Sequence, residues 1–218
     1  MGIDDQRASL CAAARRLAGS GLAIGNGGNL STRVGDHVLM TPADHRLESV
    51  SPEQLVVVDL DGTVAVPTPY RPSSEIRLHL DIYRATSTSA IAHAHPISAV
   101  AVANIVGELP AIHYTAAMLG GTVRVAPYAV FGSAELSDGV IAALHERTAA
   151  LMCNHGALTL GSNIETAYEH LELLDWLCEV YLRCLAAGRP AVLDDTQLTE
   201  IVATGARRHY TPFPGSDR

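Results

Sequence analysis

The chain is short of basic residues and aromatics and has no paired cysteines, and each shortage closes off a class of function. Lysine and arginine together number 15 against 23 aspartates and glutamates, a formal net charge of -8, and aromatics make up 5% of the chain. With no basic cluster, that balance argues against a nucleic acid or an anionic membrane surface as partner. No apolar run is long enough to span a bilayer, and the chain opens Met1-Gly2-Ile3-Asp4-Asp5, with acids where a signal peptide needs a basic start and an apolar stretch. The expectation is a cytoplasmic protein acting on a small molecule. The cysteines, Cys11, Cys153, Cys178 and Cys184, show no Cys-x-x-Cys spacing. Each falls in a segment that reads as core strand or helix, so buried free thiols are expected. The run Gly25-Asn26-Gly27-Gly28-Asn29-Leu30-Ser31 lacks the lysine of a P-loop and follows no recognisable strand, which excludes the nucleotide reading.

What is present is enough hydrophobic residue, 48% of 218, for one domain spanning 1–218 with a C-terminal tail from about 207. Leu10, Ala13, Ala14 and Leu17 mark an opening helix over 5–18. Short strands are expected at 37–41, 55–59 and 63–66, the last two around an Asp61-Gly62 hairpin turn. A helix capped by Ser73 or Ser74 would hold Glu75 in its first turn. Further on, a helix over 96–106 is broken by Gly107-Glu108-Leu109-Pro110, and the middle beyond it reads as polar and mobile. Strands at 122–126 and 149–154 then alternate with a helix at 135–147. A long helix over 163–187 carries the stripe Leu171, Leu174, Leu177, Val180, Tyr181 and Leu185 and stops at Gly188-Arg189-Pro190, followed by a short helix at 198–206. The fold class is α/β, a three-layer αβα arrangement with helices on both faces of a mixed, mainly antiparallel sheet.

The chemistry concentrates in Ala90-Ile91-Ala92-His93-Ala94-His95-Pro96. Side chains alternate faces along a strand, so His93 and His95 project to one side and can reach one ion. Pro96 stops the ladder just after them, at a strand end. His155, in Leu151-Met152-Cys153-Asn154-His155-Gly156, ends another apolar strand and is the candidate third imidazole. With a carboxylate such as Glu75, these residues make a four-ligand set of the kind zinc takes in catalytic sites. The remaining histidines, His37, His45, His79, His113, His145, His170 and His209, have no partner at ligand spacing and read as structural or solvated.

Pro72-Ser73-Ser74-Glu75, His93-Ala94-His95 and Asn154-His155-Gly156, with Gly28-Asn29-Leu30-Ser31 and Phe131-Gly132-Ser133-Ala134-Glu135-Leu136, together resemble the class II aldolase/adducin family nearly end to end. Glu75, and Ile112-His113-Tyr114 followed by Gly120-Gly121, resemble its ketose 1-phosphate aldolases more than its 4-epimerases, whose pattern has Asp where Glu75 stands. The resemblance implies one Zn2+ per subunit held by Glu75, His93, His95 and His155, and cleavage of a ketose 1-phosphate to dihydroxyacetone phosphate and an aldehyde. It further implies Glu75 as the proton shuttle, Tyr114 and Tyr210 as catalytic residues, Asn29, Ser73 and Ser74 as substrate or phosphate contacts, and a homotetramer with sites at subunit junctions. Other members are ribulose-phosphate 4-epimerases, ketose-phosphate dehydratases and non-catalytic adducin-like modules, the last having lost the histidines kept here. One stretch departs: the family has Thr-Pro, a small hydroxyl residue and Gly in a turn that grips the phosphate, whereas this chain has Thr41-Pro42-Ala43-Asp44. Ala43 removes a donor and Asp44 adds a carboxylate, which His45 and Arg46 would have to offset.

Overall fold

The structure, a computed structural model, describes residues 2–208. Among them eight strands form one sheet: β1 (Asn29–Val34), β2 (His37–Met40), β3 (Val56–Asp59), β4 (Ala90–Ala94), β5 (Glu108–Leu109), β6 (Val123–Ala126), β7 (Ala149–Met152) and β8 (Gly156–Gly161). Their spatial order is β3-β2-β1-β4-β8-β7-β6-β5. Every neighbouring pair is antiparallel except β6 with β7. The expected mixed, mainly antiparallel sheet is therefore observed.

Six α-helices cover the two faces: α1 (Ile3–Gly19), α2 (Ile76–Ala85), α3 (Ile97–Ala103), α4 (Ala134–Ala143), α5 (Ile164–Ala187) and α6 (Asp195–Arg207). Strand alternation divides the core in two. Leu10 and Leu17 of α1, Val102 of α3 and Leu171, Leu174 and Leu177 of α5 pack with Leu30, Ala92 and Ala157 on one face. Leu78 and Ile82 of α2 and Leu136 and Val140 of α4 pack with Ile91, Leu158 and Leu160 on the other. His93 is two residues from Ile91 on β4 and so points to the α2 face, as Asn29 and Ser31 do on β1, where Leu30 points the opposite way. This places the polar end of two central strands under the start of one helix.

Several local expectations change. Glu75 is itself the N-cap of α2, and the Ser73 hydroxyl accepts from the Glu75 amide at 3.3 Å, so neither serine caps the helix. Residues 63–66 form no strand, since Val64 makes only an isolated bridge to Val58. The stretch beyond Gly107 is ordered by a 3-10 helix, Tyr114–Leu119, which buries Ala116, Ala117 and Leu119. Strands β1 and β8 stand where no strand was expected. The glycines beside each hide the alternation, and both interior edges are supplied by β4. Of the thiols, Cys11 and Cys178 are buried, whereas Cys153 sits in the turn after β7 and, like Cys184, is partly exposed.

Candidate metal centre

The site grows from a match between two periodicities. Two strand residues advance about 6.6–6.8 Å and four helical residues about 6 Å, so alternate β1 positions can stay opposite successive turns of α2. Asn29 Nδ2 donates to Glu75 Oε2 at 2.9 Å, the Ser31 hydroxyl bonds His79 Nδ1 at 2.7 Å and the Tyr83 hydroxyl at 2.8 Å, and Arg33 Nη1 donates to the Tyr83 carbonyl at 3.4 Å. His79 is thus a buried member of this ladder, and burial, with His93 nearby, pushes its pKa down to about 3. The first rung fixes the Glu75 carboxylate beside β4, because Asn29 pairs directly with His93 in the sheet register.

His93 is fully buried, and its Nδ1 lies 2.9 Å from the Ala157 carbonyl. A carbonyl only accepts, so Nδ1 carries the proton and Nε2 presents its lone pair to the cluster in the neutral ring. The Nε2 atoms of His95 and His93 are 3.1 Å apart. Glu75 Oε2 is 2.9 Å from His93 Nε2, and Oε1 is 3.1 Å from His155 Nε2. Despite that proximity Oε1 accepts no hydrogen bond there, leaving a buried carboxylate oxygen unsatisfied.

His155 comes from the three-residue turn joining β7 to β8, in which Asn154 takes φ +55 and its amide donates to Asn104 Oδ1 at 3.1 Å. Asparagine tolerates the left-handed region better than most residues. Glycine is required next to both imidazole-bearing segments. A Cβ on Gly156 would stand 2.4 Å from the Ala94 carbonyl and 2.7 Å from His95 Cδ2, and one on Gly28, at φ +91, 2.8 Å from the His93 carbonyl. The run around Gly28 that reads as a turn in sequence is a close approach to the histidine strand.

Electrostatics follow from this packing. Burial raises the Glu75 pKa, but His93 and His155 outweigh it and hold the carboxyl far below its usual range. Burial disfavours charge on His93, yet Glu75 overrides it, so positive charge is favoured at the centre of the cluster. His95 is pushed down to about 4 by burial and by His93 and His155, leaving its ring neutral near pH 7. One candidate donor atom from each of Glu75, His93, His95 and His155 lies within 4.8 Å of all the others. Bonds of about 2.0–2.1 Å at tetrahedral angles set zinc donors about 3.3–3.4 Å apart, and the donor set is the one zinc favours. A cation fits, since the four donor atoms converge on one point and it would satisfy Glu75 Oε1.

The cluster opens into a cleft of about 900 Å³. Asn29, Ser73, Ser74, Glu75, His95 and His155 all line it, while Pro42, Ala43, Asp44, His45 and Arg71 form its other end. The compensation for Asp44 does not come from the expected neighbours. Arg46 pairs with Glu48 and His45 Nδ1 bonds the Ala43 carbonyl, whereas Arg71 meets Asp44 at 2.7 Å. Sequence reading missed Arg71 because the pair is 27 residues apart and formed by two loops. Tyr114 does not line this cleft. It is 56% exposed, with its ring against His113, which in turn meets Trp176. Tyr210 lies outside the described residues.

Comparison with known proteins agrees with this architecture. The sequence pattern of the family described as Class II Aldolase and Adducin N-terminal domain matches residues 8–182. A 5-methylthioribulose-1-phosphate/5-deoxyribulose-1-phosphate aldolase of Rhodospirillum rubrum is 35% identical over 198 residues, covering 90% of this chain and 89% of that protein. The L-fuculose phosphate aldolase of Escherichia coli K12 is 35% identical over 185 residues, 84% of this chain and 85% of that one. A solved structure titled L-fuculose 1-phosphate aldolase superposes with a TM-score of 0.88 at 32% identity, covering 92% of this chain and 95% of that chain.

Proposed function

The chain belongs to the Class II Aldolase and Adducin N-terminal domain family and is a class II aldolase, a lyase, and from that premise we propose that Glu75, His93, His95 and His155 hold one zinc ion and that the substrate is a ketose 1-phosphate, cleaved to dihydroxyacetone phosphate and an aldehyde. The observation that carries the reading is the convergence of ring nitrogens from His93, His95 and His155 on the buried Glu75 carboxylate, one donor atom of each residue lying within 4.8 Å of all the others. The chemistry of the remainder agrees: all 15 basic residues are arginine, so the chain offers no lysine for a Schiff base. Bound zinc would supply Lewis-acid polarisation of the ketose carbonyl and stabilise charge in the enediolate.

The chain's own residues do the rest. His93 and His95 hold their ligand geometry through the Ala157 carbonyl and the glycines packed against them. Glu75 has one oxygen held by Asn29 and the other without a hydrogen-bond donor, which suits it to move the proton at C3 of the ketose. Ser73 and Ser74, beside the N-terminus of α2 in the cleft, would donate to the anionic end of the substrate. Tyr114 would take the proton from the C4 hydroxyl as C3–C4 breaks and the aldehyde departs, and would return it to the aldehyde oxygen in the condensation direction. Its exposure, and its position away from its own chain's cleft, support delivery to the site of a neighbouring copy in a homotetramer with sites at subunit junctions, with Tyr210 as a second residue of that kind.

Substrates named for the relatives, 5-deoxyribulose 1-phosphate and L-fuculose 1-phosphate, are the natural candidates. The test is product analysis with purified zinc-loaded protein and both ketose phosphates. Dihydroxyacetone phosphate and one aldehyde from either supports the proposal; a C4 epimer as the only product, or no turnover of any ketose 1-phosphate, contradicts it.

A further inference from the structure

The end of the cleft away from the histidines is built from two loops that pair with each other. Pro42 and Pro72 form an isolated antiparallel bridge, and the Ala43 amide donates to the Arg71 carbonyl at 2.8 Å. The Arg71 amino-group Nη2 then meets Asp44 Oδ2 at 2.7 Å, with both side chains more than three-quarters exposed. Among the described residues, Arg71 is the only lysine or arginine lining the cleft. Asp44 is held at φ +59, a region that favours glycine. A residue with a carboxylate in that conformation, aimed at the one guanidinium of the cleft, calls for a reason.

We propose that Arg71 is the phosphate-binding residue of this cleft and that Asp44 is its displaceable counter-ion, given up when the phosphomonoester enters. The inference rests on the ketose 1-phosphate reading above. Ala43 has no hydroxyl, and its amide is committed to the Arg71 carbonyl, so the turn over 41–45 has lost donors that a phosphate would use. Ser73, Ser74 and Asn29 are neutral donors and leave a dianion's charge unmatched. A guanidinium matches it and can bond two phosphate oxygens at once. The exposed Asp44–Arg71 pair is screened and weak, so a phosphate carrying nearly two charges outcompetes the single carboxylate. Asp44 keeps Arg71 over the cleft in the free protein and repels the bound phosphate, favouring release of dihydroxyacetone phosphate.

The test uses the full-length, zinc-loaded protein with Arg71→Ala, Arg71→Lys and Asp44→Asn; Asn tolerates the same left-handed backbone. Inorganic phosphate is the direct probe, by calorimetry and as a competitive inhibitor, and the condensation direction separates the two substrates. Losing a charge-assisted bond predicts that Arg71→Ala weakens phosphate binding and raises the KM for dihydroxyacetone phosphate about tenfold or more. The KM for the aldehyde and the zinc content stay as in the parent, since neither involves the phosphate. Arg71→Lys falls between, and Asp44→Asn tightens phosphate several-fold. Unchanged phosphate affinity in Arg71→Ala, or an equal rise in the KM for both substrates, overturns the inference. Failure of the ketose 1-phosphate reading looks different: the parent protein would then turn over no such substrate while still binding phosphate through Arg71.

Discussion

The Nε2 atoms of His93 and His95 face each other at 3.1 Å, with the other ring nitrogen of His93 committed to the Ala157 carbonyl. A cation between them would be held by both ring nitrogens, with the His93 Nε2 lone pair already turned toward it. Glu75, the unsatisfied carboxylate oxygen and His155 complete a shell around the same point. The converging donors and the unsatisfied oxygen argue for a cation independently of the motif, and the consequences can be separated residue by residue.

Glu75→Gln removes the proposed proton acceptor and keeps the side chain's size and its contact with Asn29. Metal is retained, and turnover falls about 100-fold or more, the usual scale for loss of a general base. Metal analysis together with kcat checks both halves. Near-normal turnover would make Glu75 a ligand and helix cap only.

Gly156→Ala places a methyl group 2.4 Å from the Ala94 carbonyl, so β8 must move away from β4. The expected loss is about 1–3 kcal/mol, as for other overpacked interiors, with weakened metal retention because His155 and the neighbouring His95 shift together. Thermal unfolding and metal content measure it. A parent-like melting midpoint with full metal would mean that the strands separate freely there.

The part of this centre legible in sequence was the part encoded locally. His93-Ala94-His95-Pro96 declares a strand end by its period and its proline, and His155 repeats the pattern. Neither β1 nor β8 could be read, because Gly27, Gly28 and Gly156 look like turn residues until the strand they must approach is in place. The polar ladder from Asn29 to Tyr83 depends on strand and helix rises matching across 46 to 52 residues of sequence. Arg71 and Asp44 come together only through the paired loops. Ser73 and Ser74 line the cleft but do not cap α2 as expected, because a serine pair before a helix carries a stronger capping preference than glutamate.

Tyr114→Phe isolates a hydroxyl. The ring packs on His113 and is otherwise exposed, so stability should be unchanged while cleavage slows. Proton exchange at C3 of dihydroxyacetone phosphate, which in the proposed mechanism needs Glu75 and the metal only, should persist. Cleavage at the parent rate would remove Tyr114 from the mechanism. Equal loss of cleavage and exchange would instead mean that the ring, not the hydroxyl's proton, matters to the site.

The most direct test is the metal content of the purified protein and its His95→Ala variant, measured alongside cleavage of a ketose 1-phosphate. Removing one of three imidazoles leaves an incomplete shell and brings no replacement ligand. One zinc per chain in the parent, and loss of both zinc and cleavage in the variant, is the predicted result. Stoichiometric zinc with intact cleavage in His95→Ala would contradict the assignment of this cluster as the catalytic metal centre.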